Sequence, residues 1–168
     1  MDQDVVFNRN DYQIDEDLNI IEISQPYAVT IGGDWLDILI AHGRVDLIYE
    51  ILDIFRILIP DYIKKILLSF RPSREFVSLL DDSWVSGVSV PVNILNIGDR
   101  RYDDVLRLIR GVSPIYAVHC LAGGLVPLKP ALDYALLHVG AKACIVGATK
   151  IEQIRDLVVL SDNYLEAV

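Results

Sequence analysis

Apolar runs alternate with amphipathic segments along most of this chain. Continuous runs rich in valine, isoleucine and leucine occur at residues 36–41, 66–70, 87–92, 114–119 and 143–146. Strands buried on both faces of a parallel sheet have this pattern. Segments with helical spacing lie between or after them, at residues 45–65, 73–80, 102–109, 129–138 and 151–160. The alternation predicts five consecutive β/α units and a parallel α/β sheet.

The first thirty residues have a different pattern. The stretch "DYQIDEDLNIIEIS" alternates apolar and polar positions on both sides of Asp15-Glu16-Asp17. This predicts an N-terminal β-hairpin that ends near Pro26. We therefore divide the chain into an extension at residues 1–30 and a domain at residues 31–168. Within that domain, Pro60 is expected to kink or split the first long helix.

Five units are too few for a complete (β/α)8 barrel, which needs about 250 residues. No GxGxxG fingerprint is present to favour a doubly wound dinucleotide fold. The sequence therefore predicts a partial TIM-barrel-like sheet. Such a sheet has two open edges and an uncovered apolar face, which favour association. We expect a homo-oligomer, or a complex with a second chain that supplies the missing strands.

The composition of the chain argues against two classes of binding partner. The 168 residues carry a formal net charge of -9 and 52% of them are hydrophobic. A chain this acidic is a poor ligand for nucleic acid or an anionic membrane, although a local cationic pocket is still compatible. No apolar stretch reaches the roughly 18 residues of a membrane span, and the acidic N-terminus is unlike a signal peptide. The two cysteines lack CxxC spacing, so we expect a cytoplasmic protein without a disulfide framework.

One segment has the chemistry of a phosphate site. Gly147-Ala148-Thr149-Lys150 lies between the last predicted strand and its helix, and Arg155 follows within the next turns. Helix N-termini favour phosphate through unpaired N–H groups and partial positive charge. Gly123 and Gly124, after the preceding strand, would permit close backbone approach from the other side. The alternative is an ordinary turn and helix cap with Lys150 in solvent.

Four motifs resemble the second half of an aldo-keto reductase. They are "IGGDWLDILIAHG", "VSVPVNILN", "PIYAVHCLAGG" and "ACIVGATKIEQIRD", which are similar to the fourth, sixth, seventh and eighth strands of that barrel. The resemblance implies carbonyl reduction with NADP as cofactor. It places His42 at the active-site histidine and Ser69 at a nicotinamide contact. It also assigns cofactor binding to the predicted phosphate residues, namely Gly123, Gly124, Gly147, Thr149, Lys150 and Arg155.

The departures from the family bear on catalysis. The family's Asp, Tyr and Lys come from strands before the histidine, yet no lysine precedes His42 in this chain. Without a nearby cation a tyrosine with a pKa near 10 is a poor proton donor at neutral pH. Ser89 and Val118 replace the family's glutamine and its aromatic stacking residue. The alternative is therefore a non-catalytic half-barrel, an assembly or regulatory subunit that binds a phosphorylated ligand.

Two further interpretations are weaker. A lyase or isomerase could use the same phosphate site, but no lysine at a predicted strand end suits a Schiff base. His42, His119 and Cys120 all follow predicted strands and could approach zinc with Asp46. Their spacing does not require a metal, and we predict none. For His42 the structural alternative is a hydrogen-bonded histidine at the barrel mouth.

Overall fold

The computed structural model describes residues 14–81, 83–96 and 100–165. Within these ranges the strands are β1 (Ala28–Gly32), β2 (Lys65–Ser69), β3 (Gly87–Pro91), β4 (Ile115–Val118) and β5 (Ala143–Cys144). The α-helices are α1 (Ile14–Ser24), α2 (Asp34–Ala41), α3 (Val45–Leu58), α4 (Arg100–Val112), α5 (Leu128–Leu132) and α6 (Ile151–Leu165). Helix α5 continues as a π-helix over Asp133–Val139. Short 3₁₀ segments cover Glu75–Asp81, Ile94–Asn96 and Ala122–Gly124.

The five strands form one parallel sheet in the order β1-β2-β3-β4-β5. Each strand therefore lies beside the next strand in the chain, as in consecutive units of a (β/α)8 barrel. One row of the register runs Ile31, Leu68, Val88, Ile115 across four strands. The predicted α/β class and its partial barrel-like parallel sheet are confirmed, and β2 to β5 lie where the apolar runs predicted them.

The core lies on one face of this sheet. Right-handed crossovers between neighbouring parallel strands all pass over the same face. The buried row of Ile31, Leu68, Val88 and Ile115 packs there in one cluster with helical side chains, among them Leu36, Ile48, Leu52 and Ile109. Alternate strand residues point to the other face, where Lys65 Nζ donates to Tyr116 Oη at 2.8 Å. Gly87 lies against the Tyr116 ring on this face. A side chain would not fit there, since a Cβ at residue 87 would lie 2.8 Å from a ring carbon of Tyr116.

The predicted strand at residues 36–41 is wrong, because this segment belongs to helix α2. Its buried side chains, Leu36 and Leu39, are three residues apart, while Ile38 between them is exposed. That spacing fits a helix face rather than a strand. The strand of this unit is β1, which ends at Gly32. His42 therefore caps the C-terminus of a helix instead of ending a strand.

The N-terminal hairpin is also wrong where the structure describes that region. Helix α1 replaces it over Ile14–Ser24, and residues 1–13 lie outside the described part of the chain. Leu18 and Ile21, one helical turn apart, are half-buried, and the carbonyl of Ile21 accepts a hydrogen bond from Tyr62 Oη at 3.0 Å. The proposed division between residues 30 and 31 falls inside β1, which pairs in parallel with β2.

The remaining predicted helices are present with changed ends. Helix α3 ends at Leu58, before Pro60, whose ring cannot continue a helix. The segment predicted at residues 73–80 forms a 3₁₀ helix instead of an α-helix. None of the helices in the described ranges has the length and apolar character that a bilayer crossing requires. Strands β1 and β5 are the two edges of the sheet, and the expected oligomer or second chain stays a prediction.

Candidate functional site

A cavity of about 560 Å³ opens at the C-terminal ends of β4 and β5. Two loops and the start of helix α6 form its walls. Four of the residues predicted to bind a cofactor line this cavity: Gly123, Gly124, Gly147 and Thr149. The other described residues along its walls are Val118, His119, Cys120, Leu121, Ala122, Ile145, Val146 and Gln153. The structure therefore brings the two predicted halves of the phosphate site together.

The loop after β4 has an unusual backbone. His119 and Ala122 have φ values of 55° and 47°, in the left-handed region that non-glycine residues avoid. A residue with a Cβ occupies this region at a cost of roughly 1–2 kcal/mol. The loop is held by Ala122 N–H, which donates to the His119 carbonyl at 2.9 Å, and by Gly124 N–H, which donates to the Leu121 carbonyl at 2.8 Å. Strain held in place by its surroundings is common at functional sites.

The loop before α6 presents N–H groups to a single acceptor. Gln153 Oε1 accepts hydrogen bonds from the backbone N–H groups of Thr149, at 2.9 Å, and Lys150, at 3.1 Å. This is half of a capping box, in which a side chain on the first turn reaches back to the helix start. The amide oxygen thus lies where the loop N–H groups converge. Gly147 leaves open space, since a Cβ there would meet nothing within 4 Å.

The residues around the cavity are less acidic than the chain as a whole, and this favours an anion there. The sequence contains 24 aspartates and glutamates, yet of the described residues that line the cavity none carries a carboxylate. His119 adds a side chain that can donate a hydrogen bond. Lys150 and Arg155, both predicted to bind the cofactor, are exposed and do not line the walls. They contribute positive charge at the first turns of α6 only.

Two cysteines lie at the base of the site. Cys120 is 1% exposed and forms part of the cavity wall, and Cys144 on β5 is half-buried. Their side chains are close enough to interact. A hydrogen bond from the Cys144 thiol lowers the pKa of Cys120. The same contact, together with burial, raises the pKa of Cys144, so Cys120 is the thiol that ionises first.

A second cavity of about 560 Å³ lies on the other side of Cys144, between α6 and the helix that ends at Val139. Its walls are mostly aliphatic. At one end Tyr164 Oη donates to Asp133 Oδ1 at 2.6 Å, and Lys129 Nζ donates to Asp133 Oδ2 at 2.7 Å. Burial, together with the Asp133 carboxylate, raises the pKa of Tyr164 to about 12. These bonds fasten the C-terminal end of α6 to the rest of the domain.

Besides Lys150 and Arg155, two more predicted residues lie outside the first cavity. His42 is exposed at the end of α2, and its Nδ1 lies 2.8 Å from the carbonyl oxygen of Ile38. Ser69 ends β2, where its carbonyl accepts a hydrogen bond from Gly33 N–H at 2.8 Å. In the described ranges the structure brings together no three histidine, cysteine, aspartate or glutamate residues that could hold a metal ion.

Sequence reasoning missed Gln153 and gave His119 only a place in the zinc hypothesis. A signal for Gln153 was available, because a glutamine three residues after the helix cap is part of the capping-box pattern. The signal for His119 was its position at the end of a correctly predicted strand. Its positive φ, which turns the loop back over the cavity, has no counterpart in the sequence pattern.

No protein-family model matches this chain, and no curated protein or solved structure matches it either. The likeness to aldo-keto reductases therefore stays a prediction based on four motifs. Three of those motifs contain the strands β3, β4 and β5. The first runs as a strand only as far as Gly32 and then becomes helix α2, so it does not deliver His42 to a strand end.

Proposed function

We propose that this chain binds a phosphate-bearing small molecule in the cavity at the ends of β4 and β5, and that it does so without catalysis. The observation that carries the proposal is the convergence of Gly123, Gly124, Gly147 and Thr149 on one cavity beside the start of α6. In this interpretation the domain is a ligand-binding half-barrel, a regulatory or assembly subunit.

The binding step follows from the contacts of Gln153. Its amide oxygen is a neutral acceptor for the N–H groups of Thr149 and Lys150. A phosphate oxygen is a stronger acceptor, because hydrogen bonds to an ionised group are roughly twice as strong as those between neutral groups. Phosphate would replace the Gln153 oxygen and also gain the favourable field of the helix N-terminus. The exposed Gln153 side chain can rotate into solvent without breaking the core.

The positions of the described residues favour binding over reduction. A reductase of the resembled family needs its histidine beside the nicotinamide, whereas His42 is bonded at the far end of α2. Lys65 and Tyr116 do form a pair, but they lie on the sheet face opposite the main core, and neither lines the cavity. The NADP-dependent oxidoreductase remains the narrower hypothesis. It is tested by the cofactor titration described below.

Backbone amide NMR with inorganic phosphate tests the proposal directly. We expect millimolar phosphate to shift the amide signals of Gly123, Gly124, Gly147 and Thr149, with smaller shifts elsewhere. A Gly147→Asp variant puts a carboxylate into the cavity, where its Cβ meets open space, and should weaken phosphate binding at least tenfold. Gly111→Asp is the matched control, because a Cβ at Gly111 on α4 also meets nothing within 4 Å. It should leave binding unchanged.

Shifts confined to surface lysines, or equal affinity in the two aspartate variants, would overturn the proposal. A fluorescence titration with NADPH then distinguishes the two versions of the proposal, an NADP-dependent oxidoreductase relative and a non-catalytic half-barrel. NADPH binding that phosphate competes away, and that Gly147→Asp removes, would favour the oxidoreductase relative. Phosphate binding without NADPH binding would favour the non-catalytic half-barrel.

A further inference from the structure

Strands β4 and β5 bring the two cysteines together. Ala117 pairs with Cys144 in the parallel register, and Ile145 N–H donates to the Ala117 carbonyl at 2.8 Å. Cys120 lies three residues beyond Ala117, after the chain turns at His119 with its positive φ. The turn brings the Cys120 side chain back to the buried side of the sheet, into the same cluster that Cys144 packs against. The two thiols are consequently neighbours on the same side of the sheet.

The surroundings of the two cysteines limit which oxidants can reach them. Cys120 is 1% exposed, so a bulky reagent cannot reach its sulfur from solvent. The cavity of about 560 Å³ that Cys120 lines admits a molecule as small as a peroxide. The Cys120 thiol has its pKa lowered by the hydrogen bond from Cys144, and thiolates are the form that peroxides oxidise. A second thiol in contact with the first is the arrangement that resolves a sulfenic acid.

We propose that Cys120 and Cys144 are a peroxide-sensitive pair that closes reversibly into a disulfide between the β4 loop and β5. The proposal does not depend on the phosphate site, because it concerns the thiols themselves. Its location nevertheless links it to the cavity, since Cys120 forms part of the same wall as Gly123 and Gly124. Closing the bond would tie the strained loop to a strand of only two residues.

The chemistry balances with hydrogen peroxide as the oxidant. The Cys120 thiolate attacks one peroxide oxygen, the O–O bond breaks, and hydroxide leaves, which gives a sulfenic acid on Cys120. The Cys144 sulfur then attacks the Cys120 sulfur. An S–S bond forms, and the sulfenic oxygen leaves as water with the Cys144 proton. In total, two thiols are oxidised and one peroxide is reduced to two waters. A small thiol such as dithiothreitol reverses the bond by exchange.

Peptide mapping of the full chain tests the proposal. Trypsin cleaves after Arg110, Lys142 and Lys150, while Pro130 protects the bond after Lys129. Cys120 and Cys144 therefore fall in different peptides, residues 111–142 and 143–150. After peroxide treatment of the folded protein we expect these two peptides to be joined, with loss of two hydrogen atoms and of both alkylatable thiols. Dithiothreitol should restore both thiols.

The Cys144→Ser variant supplies the second measurement. It removes the resolving thiol at a half-buried position, so the fold is expected to survive. Unfolding in urea with dimedone present, directly after the peroxide treatment, should then trap a sulfenic acid on Cys120, whereas the unsubstituted protein should show little trapped adduct. Two results would overturn the proposal. One is that both thiols survive peroxide treatment of the folded protein, as shown by alkylation after unfolding, while protein treated in urea is oxidised. The other is a disulfide that forms only between separate chains.

Discussion

Helix α3 lies between β1 and β2 and helix α6 follows β5, yet the two helices are packed very differently. In α3, Ile48, Ile51 and Leu52 are 0%, 5% and 1% exposed. In α6, Ile151, Ile154 and Val158 are 55%, 46% and 56% exposed. These three apolar positions of α6 therefore face solvent, whereas the three of α3 lie in the core. The comparison separates a helix with a buried apolar face from one with a largely exposed apolar face.

The strands of the sheet also differ in how many residues they pair. Strand β2 pairs with β1 through five residues, whereas β5 pairs with β4 through Ala143 and Cys144 alone. Both cavities of about 560 Å³ lie against β5, at the weakly paired end. Binding sites are often drawn from the least stable part of a fold, because ligand binding can then order that part. The unit formed by β5 and α6 is where we expect ligands and oxidation to act.

The largest expected effect comes from a matched pair of isoleucine-to-alanine substitutions, one in each helix. Ile48→Ala in α3 removes a fully buried side chain and should lower the free energy of unfolding by about 2–5 kcal/mol. Ile154→Ala in α6 removes a side chain that is 46% exposed and should change it by no more than about 0.5 kcal/mol. Urea denaturation measures both. Similar losses in the two variants would mean that α6 is covered, for instance by a second copy.

The difference between α2 and β2 explains which elements could be predicted. The run at 66–70 lies between a proline-terminated helix and a turn, and it is apolar on both faces, so length and pattern agree on a strand. The run at 36–41 is just as apolar, and a short apolar run fits either a buried strand or a buried helix. Asp34 and Asp37 in the first turn of α2 favour a helix start. That local signal decides against a strand.

The site was predictable to the extent that it depends on chain order. Gly123, Gly124, Gly147 and Thr149 follow two adjacent parallel strands, whose C-terminal ends must lie at one edge of the sheet. The side chains of Lys150 and Arg155 lie outside the cavity wall. The sequence does not show this, because the direction of a side chain on the first turns of a helix depends on where the helix begins. The contact between Cys120 and Cys144 depends on the backbone turn at His119. Spacing alone could not give it.

A smaller effect should follow from the bond that fastens α6. The pKa of Tyr164 is raised to about 12 by burial and by Asp133, while an unfolded tyrosine has a pKa near 10. The folded chain therefore keeps this proton over a range where the unfolded chain loses it. The stability contributed by Tyr164 is fully present below about pH 10 and is lost as the pH rises through about 12.

Tyr164→Phe isolates that contribution. The variant lacks the bond to Asp133, so it should be less stable than the unsubstituted chain at neutral pH. The difference between the two urea midpoints should shrink between about pH 10 and pH 12, because other tyrosines titrate equally in both chains. A difference that stays constant over this range would show that Tyr164 does not anchor α6. In that case the whole of α6, and not only its N-terminal part, would be weakly attached to the domain.

The smallest expected effect concerns the N-terminal end of α6. Gln153→Glu would place a carboxylate where the N–H groups of Thr149 and Lys150 converge. A negative charge at a helix N-terminus stabilises by about 0.3–1 kcal/mol. The same carboxylate would compete with a bound anion for those N–H groups and would repel it. The variant should therefore gain stability while it loses phosphate affinity.

Opposite changes in these two quantities would distinguish an anion site from a simple helix cap. Gln25→Glu is the control, since it adds the same charge just after the C-terminus of α1, where the helix dipole disfavours it. It should bring no gain in stability and no change in phosphate binding. If Gln153→Glu stabilises α6 but leaves phosphate affinity intact, then Gln153 only caps the helix. In that case, the weakly packed end of the domain would not use the N–H groups at the start of α6 to bind phosphate.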